Sequence, residues 1–185
     1  MSSYGTAGGS LEDADFATSP EAARAGRIGE IAVGKRLDAI AMKTGITVLH
    51  DLHIPGAKAN IDHVVVSGNR VWLIDTKVWQ PGTYWTVFGR TYRGFERVPH
   101  ADKRGLPFAQ KRIRDYLDGW HTSPHMQRPL LVVRSSKPSQ PIRLWAYRPA
   151  SDPDAHVRAI QETQLRFPAG AGNARIVAAL VKLLN

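Results

Sequence analysis

A chain of 185 residues with no cysteine and a formal charge of +9 has the length of one domain, and it excludes both a disulfide framework and a thiolate zinc site. No apolar run is long enough to span a bilayer and no signal-peptide core lies near the start, so the expectation is a cytoplasmic protein with no membrane partner. The positive excess favours a polyanionic partner, nucleic acid before an anionic membrane surface.

Residues 1–19 are rich in Gly, Ser, Ala and acid and show no hydrophobic period. They predict a disordered tail ahead of a single domain over residues 20–185. Residues 20–44 predict a helix: Ser19 can cap it, Pro20 suits its first turn, and Gly45 ends it. Val33, Leu37, Ile40 and Ala41 recur at helical spacing as its buried stripe. Glu30 precedes Val33, Gly34 and Leu37 by three, four and seven residues, so a carboxylate falls on the buried side, where it needs a partner. Gly26, Gly29 and Gly34 surround it and weaken the helix by roughly 1 kcal/mol each. They permit close approach of a strand or a substrate backbone. The plainer alternative is that Glu30 rides the edge of the stripe and pairs with Arg27 or Arg36.

Residues 46–53 predict a first strand, followed by the turn Pro55-Gly56-Ala57. Residues 60–79 then read NIDHVVVSGNRVWLIDTKVW. Two β-type runs, 61–67 and 70–76, flank Gly68-Asn69, residues that accept φ > 0, so a two-residue hairpin is expected. That register sets Val66 against Val71, Val64 against Leu73 and Asp62 against Asp75. The last pair is a close, non-hydrogen-bonded one with Cβ atoms about 4.5–5.5 Å apart. Alternation places Asp62, Val64 and Val66 on one face with Val71, Leu73, Asp75 and Lys77. Two unit charges about 5 Å apart repel by roughly 3 kcal/mol at an effective dielectric of about 20. A hard divalent cation would remove that conflict. The alternative is a solvated hairpin end with a Lys77–Asp75 surface pair, and a one-residue slip would send Asp62 to the other face.

Pro81-Gly82 predicts a turn, and residues 85–88 and 91–93 predict a second hairpin around Gly89-Arg90. Trp79, Tyr84 and Trp85 are candidates for stacking on bases, although core or rim packing is the commoner fate of such residues. Residues 90–114 are the most basic part of the chain, with eight Arg and Lys against Glu96 and Asp102. Arg90, Arg93, Arg97, Lys103, Arg104 and Lys111 are the candidate nucleic-acid contacts. A solvated helix face and loop is the bland reading of the same run.

Residues 107–120 predict a helix with Ala109, Ile113, Tyr116, Leu117 and Trp120 on its apolar side. Gln110 precedes Ile113 and Leu117 by three and seven residues, so it faces inward and needs hydrogen-bond partners. Residues 130–134 and 142–148 predict strands. Asp152 is expected to cap a helix running to about residue 162, and Asn173 to cap the last one, whose Ile176, Val177, Leu180, Leu183 and Leu184 form an apolar face. The order predicts an α/β sandwich around a mixed sheet. His121-x3-His125 has metal-like spacing, but Ser123-Pro124 breaks any helix between them. His63 alternates away from Asp62, which suits packing better than ligation.

Gly29-Glu30, His50-Asp51-Leu52, Asn60-Ile-Asp62-His63-Val, Ile74-Asp75-Thr-Lys77-Val-Trp79 and Gln110, in this order, resemble the nuclease-related domain (NERD) family of the PD-(D/E)xK nuclease superfamily. The likeness covers residues 26–120, with a looser fit beyond. It implies a restriction-endonuclease-like sandwich, with a central mixed β-sheet flanked by helices. It also implies metal-dependent hydrolysis of phosphodiester bonds in DNA. Asp62 and Asp75 would hold Mg2+ or Mn2+ with Glu30 extending the metal site, Lys77 would orient or activate water, and Gln110 would support the site. One departure is that the strand acid is Asp75 where many relatives have Glu, an arm shorter by one methylene. The rival reading is a non-catalytic nucleic-acid-binding or scaffolding module on the same fold. Retention of all five residues favours the enzyme, because a pure binder has no use for opposed carboxylates. A homodimer or a partner subunit stays open.

Overall fold

A computed structural model describes residues 3–9, 20–102, 105–148 and 157–184. In chain order these form β1 (Ser3–Tyr4), α1 (Pro20–Thr44), β2 (Thr47–His53), β3 (Asn60–Ser67), β4 (Arg70–Trp79), β5 (Gly82–Val87), β6 (Arg90–Arg93) and β7 (Glu96–Arg97). There follow α2 (Gly105–Gly119), β8 (His125–Met126), β9 (Leu130–Ser135), β10 (Ile142–Leu144), β11 (Arg158–Gln161) and α3 (Ala174–Val181).

The β3–β4 hairpin forms in the expected register, with Ser67 opposite Arg70, Val66 opposite Val71 and Val64 opposite Leu73. Gly68 supplies the left-handed backbone the turn requires, at φ +54°. β2 pairs antiparallel with β3, while β9 pairs parallel with β4 and β11 parallel with β9. The central sheet is therefore mixed, in the order β1-β2-β3-β4-β9-β11 with β8 beside β4. Helices cover both faces, which is a restriction-endonuclease-like α/β architecture.

Period-two alternation divides the core. On one face Val33, Leu37 and Ala41 of α1 pack on Val48, Val65, Ile74 and Val132. On the other, Val64, Val66, Leu73 and Trp79 meet Ile113 and Leu117 of α2 and Ile176 and Leu180 of α3. Asn173 caps α3 as expected, its side chain accepting from the backbone of Arg175 and Ile176. A small second sheet, in the order β10-β5-β6-β7, follows β4 directly. Among the described residues no helix is long and apolar enough to cross a membrane.

Several expectations need correction. The strand expected over residues 142–148 ends at Leu144. Ser3 and Tyr4, placed by composition in a disordered tail, pair parallel with Val48 and Leu49, and Ser3 Oγ donates to Asp38. An open strand edge offers unpaired backbone groups that local composition does not report; residues 10–19 lie outside the described residues. Residues 158–161, expected in a helix, form β11 against β9. Ile160 is buried there, and pairing along an open edge overrides local propensity. The proposed cap Asp152 lies outside the described residues. The second hairpin turns at Phe88-Gly89, with Val87 opposite Arg90. Both turn residues take positive φ, +46° and +71°, as a type I′ turn demands, and a phenylalanine in that role carries no sequence signal.

Candidate active site

β4 presents Asp75 and Lys77 on the face toward α2. The Lys77 ammonium sits 2.8 Å from Asp75 Oδ1 and 2.7 Å from Oδ2, and also donates to the Thr76 carbonyl at 3.1 Å. The two residues line a cleft of about 230 Å3 whose walls include Asn60, Ile61, Trp79, Leu106 and Phe108.

Asp62 completes the row in a way that register alone does not describe. Backbone pairing of β3 with β4 runs as far as His63 opposite Ile74 and stops. Beyond that point the Thr76 N–H donates to Asp62 Oδ2 at 2.6 Å. The carboxylate thus takes the place of a main-chain acceptor where the strands part. The neighbouring ladder is interrupted at the same level, since β2 and β3 pair at His50–His63 and again at Leu52–Ile61 but not between. There Asp51 has φ +57°, a conformation costing about 1–2 kcal/mol for a residue other than glycine. Its Oδ1 accepts from Asn60 Nδ2 at 2.8 Å. Asp51, Asp62 and Asp75 therefore occupy one row across three strands. Asp51 stands in the His50-Asp51-Leu52 piece of the family resemblance without a role assigned to it; counting β2 back against β3 places it opposite Asp62.

Glu30 arrives from α1. It is buried, and Gly29 lets the helix come close: a Cβ there would lie 2.3 Å from Val78 Cγ2 of β4. Burial first, then the charge of Asp62, pushes the Glu30 carboxyl up to about 9; Asp75 and Asp51 add to the shift, and Lys77 opposes it. Burial and then Asp75 push Asp62 up to about 7, against the pull of Lys77 and the Thr76 N–H. For Lys77, burial disfavours the ammonium, but Asp75, Asp62 and Glu30 together outweigh it and hold its pKa above the ordinary value. Four groups from three elements thus share one electrostatic environment, although Glu30 and Asp62 do not line the cleft itself.

The donor set is all oxygen, which suits a hard divalent cation. Burial and like charges oppose ionisation of Glu30 and Asp62, a conflict that a cation relieves. By chemistry the residues fit such an ion. Among the described residues, however, no three His, Cys, Asp or Glu side chains already converge as a metal cage. Asp75 is engaged by Lys77 instead.

His63 lies beside this row, on the face toward α1. His50 Nε2 lies 3.1 Å from Asp38 Oδ1, and its Nδ1 shares a hydrogen bond with His63 Nδ1 at 2.9 Å. His63 Nε2 is buried without a hydrogen-bond partner. Burial, then His50, lowers the His63 pKa to about 3, and the ring is a neutral packing group.

Gln110 is buried on α2 as its spacing indicates. Its Nε2 donates to the Gln127 carbonyl at 2.7 Å, so the structure gives this amide a protein partner outside the carboxylate row. The basic residues divide in a similar way. Arg93 is paired with Glu96 and Lys111 with Asp115 at 2.8 Å. Arg97 donates to the Thr91 carbonyl at 3.1 Å, and Arg90 is exposed on β6. Lys103 and Arg104 lie outside the described residues. Of the aromatic candidates, Trp79 and Tyr84 stack on each other in the core, centroids 4.9 Å apart.

The family model described as NERD, nuclease-related domain, matches residues 25–117, a span that holds Glu30, the aspartate row, Lys77 and Gln110. No curated protein and no solved structure matches the chain.

Proposed function

From the premise that this chain belongs to the nuclease-related domain family, we propose that it is a Mg2+- or Mn2+-dependent hydrolase of phosphodiester bonds in DNA, with Asp62, Asp75 and Glu30 as ion ligands. One observation carries the reading. Two of its three carboxylates are so crowded and buried that their pKa values rise to about 9 and about 7, at a point where two β-ladders are interrupted. A divalent cation bound there would offset the cost of ionising them.

A bound divalent cation supplies Lewis acidity, activating water and stabilising charge on the phosphoryl group. The chain's own groups do the rest. Thr76 N–H orients the Asp62 carboxylate. Asp75 holds the Lys77 ammonium in the wall of the cleft, where it would neutralise negative charge growing on a phosphate oxygen. Glu30 would have to be ionised to hold the ion, so ion binding would strengthen as pH rises. Gln110 supports this site at a distance, by fixing α2 to the backbone at Gln127. We take the activity to be cytoplasmic, exerted alone or as a homodimer or with a partner subunit.

The test is an assay on duplex DNA, single-stranded DNA and RNA, with Mg2+ or Mn2+ and with chelator. Cleavage of DNA that needs the cation and disappears in Asp75→Asn is the expected result. Binding without cleavage of any form, with either cation, favours the second reading, a nucleic-acid-binding module. That reading draws support from Lys77 standing on Asp75 and from the unconverged donor set.

A further inference from the structure

Only Gln80 and Pro81 separate β4 from β5, so the small sheet continues the strand that carries Asp75 and Lys77. Its inner face is fixed by Tyr84 and Ile142, which are buried, and by Thr91, which is fully so. The alternate residues point outward. The register then sets Arg143 beside Thr83, Tyr92 beside Trp85, Arg90 beside Val87 and Arg97 beside Tyr92. Trp145 follows β10 directly, in a bend, and is 67% exposed. No acidic residue occupies any of these outward positions.

The aromatic groups are held in place. Trp85 and Tyr92 stack at 4.9 Å with their planes 21° apart. The Trp85 Nε1–H donates to the Gly94 carbonyl at 2.7 Å, which locks the indole. The Arg97 guanidinium stands 5.9 Å over the Tyr92 ring. Flat aromatic groups interleaved with arginines on a face without carboxylates match a strand whose bases are unstacked and whose backbone is anionic. Duplex DNA hides its base faces and could use the arginines alone.

We propose that the outward face of the small sheet binds an unpaired nucleic-acid strand, with bases stacked on Trp145 and on the Trp85–Tyr92 pair and phosphates against Arg90, Arg97 and Arg143. The strand is thereby led toward the cleft at Asp75. This rests on the nucleic-acid reading above, but not on its chemistry.

The test uses the full chain with chelator present, so that binding is read without cleavage. A labelled thymidine oligonucleotide and a duplex of the same length are titrated by fluorescence anisotropy at several salt concentrations, for wild type, Trp145→Ala and Arg143→Gln, with melting curves as the folding control. Wild type binds the single strand more tightly than the duplex. Trp145→Ala weakens single-strand binding about tenfold and leaves duplex binding unchanged. Arg143→Gln lowers the single-strand salt slope by about 0.7. Equal affinity for the two forms, or an unaltered affinity in Trp145→Ala, overturns the proposal. So does self-association that Trp145→Ala abolishes, which would assign the face to a second copy. The two readings separate cleanly. Single-strand binding at this face with no cleavage in Mn2+ keeps the platform and removes the nuclease. Cleavage of duplex by a protein whose binding ignores Trp145 does the reverse.

Discussion

The Asp62 carboxylate accepts the backbone N–H of Thr76 at 2.6 Å, so one side chain serves both the sheet and the site. The two duties can be parted by substitution. Asp62→Asn retains an acceptor oxygen, and Asp62→Ala leaves the Thr76 N–H without one, a loss of about 1–3 kcal/mol. We expect both variants to lose cleavage, and only Asp62→Ala to be less stable than wild type in urea unfolding. Equal stabilities would show that water replaces the carboxylate at no cost.

The ion-free protein should lose stability as pH rises. Glu30 and Asp62 bind protons more tightly folded than unfolded, at about 9 against 4.5 and about 7 against 3.8. Their contribution is full below the unfolded values and is lost as pH passes through the folded ones. Melting temperature with chelator should therefore fall from about pH 4 toward pH 9, and Glu30→Gln should flatten the upper part of that fall. At the alkaline end Mg2+ or Mn2+ should restore stability by about 2.7 kcal/mol at a hundredfold excess over Kd. A flat profile in wild type would remove the crowded-carboxylate argument.

Lys77 is the counter-ion of the row. Lys77→Ala should lower the melting temperature of the ion-free protein, because the positive charge that favours the ionised forms of Asp75, Asp62 and Glu30 is then lost. It should reduce cleavage by about a hundredfold or more while the cation-induced rise in melting temperature persists. Calorimetric titration with Mn2+ alongside a plasmid-cleavage assay reads both.

Gln110 offers a contrast. With its amide on the Gln127 carbonyl, Gln110→Ala should cost about 1–3 kcal/mol of stability. Cleavage measured well below the melting temperature should stay within a few-fold of wild type. A large loss of kcat in a variant that remains folded would place the amide in the chemistry after all.

The arginines should separate by their partners. Replacing exposed Arg90 with Gln should lower the salt slope of log K on duplex DNA by about 0.9. Arg93→Gln should leave the slope nearly unchanged, because Glu96 already holds that guanidinium. Equal effects would mean that the Glu96 pair opens on binding.

How far the sequence reached is clearest at the row of aspartates. The hairpin register was legible because Gly68-Asn69 fixes the turn and apolar alternation fixes the faces, and the stripe of α1 placed Glu30 for the same reason. What could not be read was the parting of β3 from β4 beyond His63. That depends on a carboxylate outcompeting a carbonyl for one N–H. The left-handed backbone of Asp51 was equally silent, since nothing local distinguishes it from an ordinary strand residue. Edge strands β1 and β11 were missed because their partners lie far away in sequence. The partners of Gln110 and Arg93 were hidden in the same way: a polar side chain announces that it needs a partner and not which one it finds.

Gly29 carries no functional group, yet it works as a gauge. With a Cβ position only 2.3 Å from Val78 Cγ2, the separation of α1 from β4 is set by the width of a hydrogen atom. Any larger group at position 29 acts as a wedge: it lifts the helix and draws Glu30 back from Asp62 while every charge, donor and acceptor in the site stays the same. The reach of that one carboxylate is thus a purely mechanical variable, adjustable from a residue that takes no part in the chemistry.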